Sequence, residues 1–146
     1  MSFEVDRLVE KILAMHTVAV VGLSRDPSKP SHDVANYLQL HGYRIIPVNP
    51  TVPEVLGEKS YPSLLQLPDD LKAQVEVVDI FRRAEDVPPI VTEAIKLRQA
   101  FGNPKAIWMQ LGIVNEASAQ QARNAGLAVV MDRCMKIEYA RRRQLH

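Results

Sequence analysis

The sequence predicts a doubly wound α/β fold, with a mainly parallel sheet and helices on both faces. Short runs rich in β-branched and aliphatic residues recur along the chain, and longer segments with apolar residues at helical spacing separate them. Most of these runs stop at a glycine or at an Asn-Pro pair. Parallel neighbours need a crossover, usually a helix, and right-handed crossovers are strongly favoured, so the alternation implies βαβ units.

The elements follow in order. Val5, Leu8, Val9, Ile12 and Leu13 recur at helical spacing, with Glu4, Asp6, Arg7, Glu10 and Lys11 on the remaining faces, which predicts an amphipathic opening helix. Thr17 to Val21 is a continuous run stopped by Gly22, as expected of a parallel strand covered on both faces. The loop Leu23 to Ser31 carries Arg25, Lys29 and two prolines. A helix starts at Ser31, whose hydroxyl can cap the free amides; it turns Val34, Ala35 and Leu38 inward and stops near Gly42. Tyr43 to Val48 reads as a second strand, punctuated by Asn49-Pro50. A loop-rich stretch runs through Gly57, and Tyr61 to Leu64 leads into a short helix ended by Pro68.

Val75 to Phe81 is the next buried strand. The helix after it has Pro88 and Pro89 in its first turn and an inner stripe of Ile90, Val91, Ala94, Ile95 and Phe101. Lys105 to Leu111 gives a further strand, and Asn115 is placed to cap a helix whose stripe, Ala119 and Ala122, is small enough for close approach to the sheet. Leu127 to Met131 supplies the last strand and Met135 to Arg143 a closing helix. No internal repeat or composition break divides the chain, so residues 1–146 read as one Rossmann-like domain.

Composition narrows the function classes. A chain of 146 residues is long enough for a core, burying about 68–70% of the surface its unfolded form exposes. Eighteen basic residues against seventeen acidic ones leave almost no net charge, which argues against a nucleic-acid or membrane-surface binder. The run Arg141 to Arg143 reads as a solvated helix face at a chain end. Cys134 is the only cysteine, so no internal disulfide or Cys-rich zinc site forms, and a cytoplasmic location is expected. Met1 to Met15 interleaves charges with apolar groups and lacks the unbroken apolar stretch of a signal peptide, and no segment is long enough to span a membrane. His16, His32, His41 and His146 lack the spaced partners of a metal site or catalytic triad.

In open parallel sheets the ligand crevice lies outside the carboxyl ends of the strands, where the crossover direction reverses. Here those ends carry Gly22-Leu23-Ser24, Asn49-Pro50, Phe81-Arg82, Gly112 and Asp132-Arg133. The first loop matches a dinucleotide fingerprint only in its first glycine, because Ser24 and Pro27 stand where the other two would be. The acidic residue that binds ribose hydroxyls at the end of the second strand is also missing, replaced by Asn49. Ordinary NAD recognition is therefore disfavoured.

What the loop offers instead is Ser24, Arg25, Lys29 and Ser31 beside a helix N-terminus, a combination suited to phosphate. Arg and Lys in a surface loop are often merely solvated; their position after the first strand is what raises the functional reading.

The blocks Ala19 to Ser24, Lys29-Pro30-Ser31, Ile46 to Pro50, Gly57 with Tyr61 to Leu64, Asp79 with Phe81-Arg82, Trp108 with Gln110 and Gly112, and Asp132 to Cys134 resemble the small CoA-binding proteins. That family is similar to the N-terminal domain of the succinyl-CoA synthetase α subunit, and the resemblance covers nearly the whole chain. It implies that Gly22, Ser24, Lys29 and Ser31 surround the phosphates of coenzyme A or an acyl-CoA; Leu23, Arg25 and Pro30 of the same loop are counted as candidate binding residues. It implies further that Asn49, Pro50, Phe81 and Arg82 approach the adenosine or pantetheine portion, and Gln110, Gly112 and Arg133 complete the set.

In the synthetase, catalysis uses a phosphorylated histidine on another domain and a second subunit, and this chain is too short for that domain. The implied function is a non-catalytic CoA carrier, sensor or delivery module. Two alternatives stand beside it. One is an NADP-binding oxidoreductase or redox sensor with Arg25 and Lys29 on the 2′-phosphate; the other is the CoA-binding subunit of a multi-chain acyl-CoA ligase. A homodimer or a partner enzyme is left open.

Three positions keep two readings. Cys134 reads first as a small buried hydrophobe, yet a place facing the crevice would let it form a mixed disulfide with the CoA thiol. Asp132 and Arg133 are either a mutual ion pair at the rim or leave Arg133 free for phosphate. Gly112 marks a bend or a close backbone approach, while Trp108 and Met109 read as core.

Overall fold

A computed structural model describes residues 3–143. In chain order the elements are α1 (Phe3–Leu13), β1 (Thr17–Val21), α2 (Pro30–Leu40), β2 (Arg44–Val48), the two-residue strands β3 (Glu54–Val55) and β4 (Glu58–Lys59), and α3 (Asp69–Gln74). They continue with β5 (Val77–Ile80), α4 (Val87–Phe101), β6 (Ala106–Met109), α5 (Glu116–Asn124), β7 (Ala128–Val130) and α6 (Met135–Arg143). Five strands pair in parallel in the order β2-β1-β5-β6-β7, and β3 and β4 form a separate antiparallel hairpin.

The period of two along each strand divides the core into two layers. Val18 and Val20 of β1 pack with Val9 and Ile12 of α1, Val34 and Leu38 of α2, and Met135 of α6. Ala19 and Val21 pack on the other side, with Leu71 of α3, Val91, Ala94 and Leu97 of α4, and Ala119 and Ala122 of α5. Every residue of β1 is buried, which is why its sequence is a continuous run and not an alternation.

Strands β2, β5, β6 and β7 are shorter than the sequence expectation, and the structure departs from it further as follows. The loop-rich stretch around Gly57 contains the β3–β4 hairpin, with Gly57 in its turn and strands too short to show an alternating pattern. The helix expected before Pro68 is a single 3-10 turn over Leu64–Gln66, and Pro68 instead precedes α3, whose first turn carries Asp69 and Asp70 at the positive dipole end. The inner stripe of α4 is Val87, Val91, Ala94 and Leu97; Ile90, Ile95 and Phe101 flank it, half-buried. Finally, α2 begins at Pro30, one residue earlier than expected. Asn115 caps α5 as expected, its side chain accepting from the Ser118 amide at 3.0 Å.

The chain steps from β1 to β2 on one side and then returns past β1 to β5, so the winding direction reverses between β1 and β5. At their carboxyl ends the Gly22 amide donates to the Val48 carbonyl at 2.8 Å and the Phe81 amide to the Val21 carbonyl at 2.9 Å. Gly22 has φ +89°, and a Cβ there would sit 2.5 Å from the Phe81 carbonyl oxygen. Both the backbone conformation and the space demand glycine.

Asp79 lies in the centre of the sheet, between Val20 and Trp108 in register, fully buried, and neither carboxyl oxygen has a hydrogen-bond partner. Burial pushes its pKa well above the usual carboxylate range. Because the folded-state value is raised, the contribution of Asp79 to stability is most favourable below the unfolded value of about 3.9 and is lost as pH rises toward the folded value.

Two outcomes follow from these positions. Gly22→Ala lowers the unfolding free energy by about 1–3 kcal/mol, read from the urea midpoint, because alanine must adopt a left-handed backbone and displace Phe81; an unchanged midpoint contradicts that geometry. Asp79→Val stabilises the protein by roughly 1–3 kcal/mol at pH 8, since it removes a buried group without partners. Its Tm advantage over wild type shrinks on acidification toward pH 5, and an advantage independent of pH would show that Asp79 does not titrate in this way.

Candidate functional site

The loop after β1 is wound on itself by local hydrogen bonds. The Asp26 amide donates to the Ser24 hydroxyl at 3.0 Å, and the Ser28 amide and hydroxyl both donate to one Asp26 carboxylate oxygen at 2.9 and 2.8 Å. Those bonds hold the Asp26 carboxyl below its usual range, the Ser28 amide contributing most. The Lys29 amide then donates to the Asp26 carbonyl at 3.0 Å.

Ser31 takes a different part from the one expected of it. Its hydroxyl oxygen accepts from the Ser24 amide at 2.9 Å, closing the loop, and does not cap its own helix. The N-cap residue of α2 is Lys29, Pro30 occupies the first turn, and no side chain caps this end. The N-terminus of an eleven-residue helix, with its positive dipole end, is thereby left to the crevice.

Two cavities flank the switch point between β1 and β5. The larger, about 740 Å³, lies among the carboxyl ends of β1, β5 and β6 and the starts of α2 and α6. Of the residues singled out from sequence, it brings together Gly22, Ser24, Lys29, Pro30, Ser31, Phe81, Arg82, Gln110 and Gly112. The smaller, about 310 Å³, is lined by Pro50, Pro62, Pro89, Ile90 and Glu93 among others, and Arg82 borders both. The side chains of Lys29 and Arg82 make no hydrogen bond or ion pair with the described residues, although the Lys29 charge helps to lower the nearby Asp26 carboxyl, so two cations stand where the helix end opens.

The remaining predicted residues lie elsewhere. Leu23 is core; its carbonyl accepts from the Asn49 side-chain amide at 2.9 Å, and the Asn49 side-chain oxygen accepts from the amide and hydroxyl of Thr51. Asn49 therefore braces the end of β2 against the loop and lines neither cavity. Arg25 is exposed and also lines neither.

Arg133 is turned away from both cavities. Its guanidinium lies 3.3 Å from Glu138 and 3.7 Å from Asp6, with its side chain only 17% exposed. Glu138 is itself buried and also draws Arg141 and Arg142, at 3.6 and 2.7 Å. A buried carboxylate must be paired, and this one recruits the arginines of its own helix together with Arg133. The basic run at residues 141–143 is correspondingly not all solvated: the Arg142 side chain is mostly buried in this network.

The expected Asp132–Arg133 ion pair does not form. Asp132, at φ 60°, instead accepts from the Gly112 amide at 2.7 Å, which fixes the bend after β6. Trp108 is core, its ring N–H donating to the Arg133 carbonyl at 2.7 Å, and the Gln110 side-chain oxygen accepts from the Met135 amide at 3.2 Å, capping α6. Cys134 is buried, as the first of its two readings expected, and it lines the larger cavity.

Of the smaller cavity, the sequence singled out Pro50 and Arg82 and the block containing Pro62, Ser63 and Leu64, but not Pro89, Ile90 and Glu93 of α4; the apolar wall of the larger cavity formed by Leu111 and Ile113 was also missed. Neither part carried a local signal, since these walls come from segments far apart in the chain. Among the described residues no helix is long and apolar enough to cross a membrane, and no group of three or more His, Cys, Asp or Glu side chains is placed to hold a metal.

Comparison with known proteins agrees with the geometry. The chain is 38% identical over 123 residues to the Bacillus subtilis protein YneT, covering 84% of each. A solved structure of a hypothetical protein from Pyrococcus horikoshii superposes with a TM-score of 0.83 at 38% identity, over 93% of this chain and 90% of that one, and shares its Rossmann-like fold. A 79-residue stretch is 35% identical to an ADP-forming acetate–CoA ligase of Archaeoglobus fulgidus; it spans 53% of this chain but 11% of the enzyme. The model of the CoA binding domain matches residues 16–140, and on that match the chain belongs to the CoA-binding domain family.

Proposed function

We propose that the crevice binds coenzyme A, free or acylated, and that the protein is a non-catalytic module that carries, senses or delivers it. The carrying observation is the pair of cations, Lys29 and Arg82, beside the uncapped start of α2 and the Gly22 turn. Phosphates placed there meet a point charge, a guanidinium fork and a helix dipole together. In this reading the adenosine takes the smaller cavity beyond Arg82, against Pro50 and Pro62, and the pantetheine arm runs the other way past Gln110 and Gly112.

The match to an acetate–CoA ligase favours a second reading, the CoA-binding subunit of a ligase assembled from separate chains. Stable co-purification with an ATP-grasp partner distinguishes it from a free-standing carrier.

Isothermal titration of CoA, NADP and NAD under one buffer condition tests the leading reading. CoA binds tightest, and Lys29→Ala or Arg82→Ala each weakens it roughly ten- to hundredfold, the range for losing a charge-assisted contact. Arg25→Ala, outside both cavities, has a much smaller effect. No heat with millimolar CoA, or tighter binding of NADP, contradicts the proposal.

A further inference from the structure

The lining of the larger cavity changes character from one end to the other. Near β1 and β5 it presents Lys29, Arg82 and the hydroxyls of Ser24 and Ser31. Toward β6 and α6 the walls are Leu111, Ile113 and Cys134, and Val34 of α2 and the segment Arg83-Ala84-Glu85 after β5 complete the lining, the Arg83 charge being paired with Glu85 and Asp86. At this second end Leu111 is 59% exposed and its loop neighbour Val114 is 45% exposed. A single exposed leucine is ordinary, but an exposed apolar loop continuous with a cavity wall marks a surface that a ligand covers.

Building on the CoA reading, we propose that the preferred ligand is an acyl thioester carrying an apolar acyl chain of up to eight carbons, and that this chain lies against Leu111 and Ile113. The polarity of the cavity fixes the direction. The phosphates belong at the cationic end, so the thioester end of the same molecule points toward β6 and the apolar loop. A bare thiol at that end leaves Leu111 in water, whereas an alkyl chain lying against the wall of Leu111 and Ile113 removes it. The stabilisation is the hydrophobic effect, proportional to the apolar area covered.

The test is titration of the full chain with CoA and with acetyl-, butyryl-, hexanoyl- and octanoyl-CoA, reading how affinity changes with chain length. The expected result is tightening by about two- to fourfold per added methylene across the series. Leu111→Ser flattens this dependence, measured within the variant as the ratio of octanoyl- to acetyl-CoA affinity. Leu40→Ser alters a leucine that is 75% exposed and lies outside the cavity, and it leaves the ratio as in wild type. Binding of CoA with no chain-length dependence overturns this inference and leaves the CoA reading standing. A dependence that survives Leu111→Ser overturns the assignment to this loop, and failure of every ligand to bind overturns the CoA reading itself.

Discussion

Where β1 and β5 end side by side, the chain comes so close to itself that any side chain at residue 22 would strike the Phe81 carbonyl. That contact governs the site. It lets Gly22 reach Val48 on one flank while Phe81 reaches Val21 on the other, so three strands finish at one level with the reversal of winding between them. The crevice opens at that reversal because the crossover helices leave on opposite faces. Everything proposed for ligand binding depends on this edge being open and on backbone, rather than side chains, filling its floor.

Electrostatics then sorts the arginines. Arg82 and Arg133 both follow a strand end, and from sequence they have equal standing. Their fates differ because of what lies underneath: Arg82 borders both cavities without a partner, whereas Arg133 is drawn down by the buried carboxylate of Glu138. Leaving Glu138 unpaired in the interior would be strongly destabilising, so its pairing takes precedence over any ligand contact by Arg133. The same reasoning makes Asp79 a discordant group in the core, a carboxyl in the middle of the sheet with no hydrogen-bond partner among the described residues. Its neighbours Val20 and Trp108 enforce burial without supplying a donor.

Much of the fold was legible because parallel strands buried on both faces leave continuous apolar runs, and all five strands of the main sheet stood out on that basis. The β3–β4 hairpin and α3 did not, since two-residue strands carry no period and a proline before an acidic turn reads equally as a stop or a start. Of the site, the residues that cluster after β1 and β5 were readable from their position at strand ends. The role of Ser31 was mistaken because a hydroxyl at a helix start can serve the helix or the loop before it, and only the wound loop decides. Asn49 read from sequence as a ligand contact because it ends a strand; in the fold its side chain bridges Leu23 and Thr51, a role its position in the chain does not signal. Pro50 and Arg82 of the smaller cavity were named from the sequence, but its α4 wall of Pro89, Ile90 and Glu93 was not, because these residues meet Pro50 and Pro62 only after folding.

The most direct test of the central claim is a structure determined with coenzyme A bound, in which the position of the diphosphate is read. The account requires it at the start of α2, between the Lys29 ammonium and the Arg82 guanidinium and over Gly22. A diphosphate held at another surface, with those two cations still facing solvent, contradicts it.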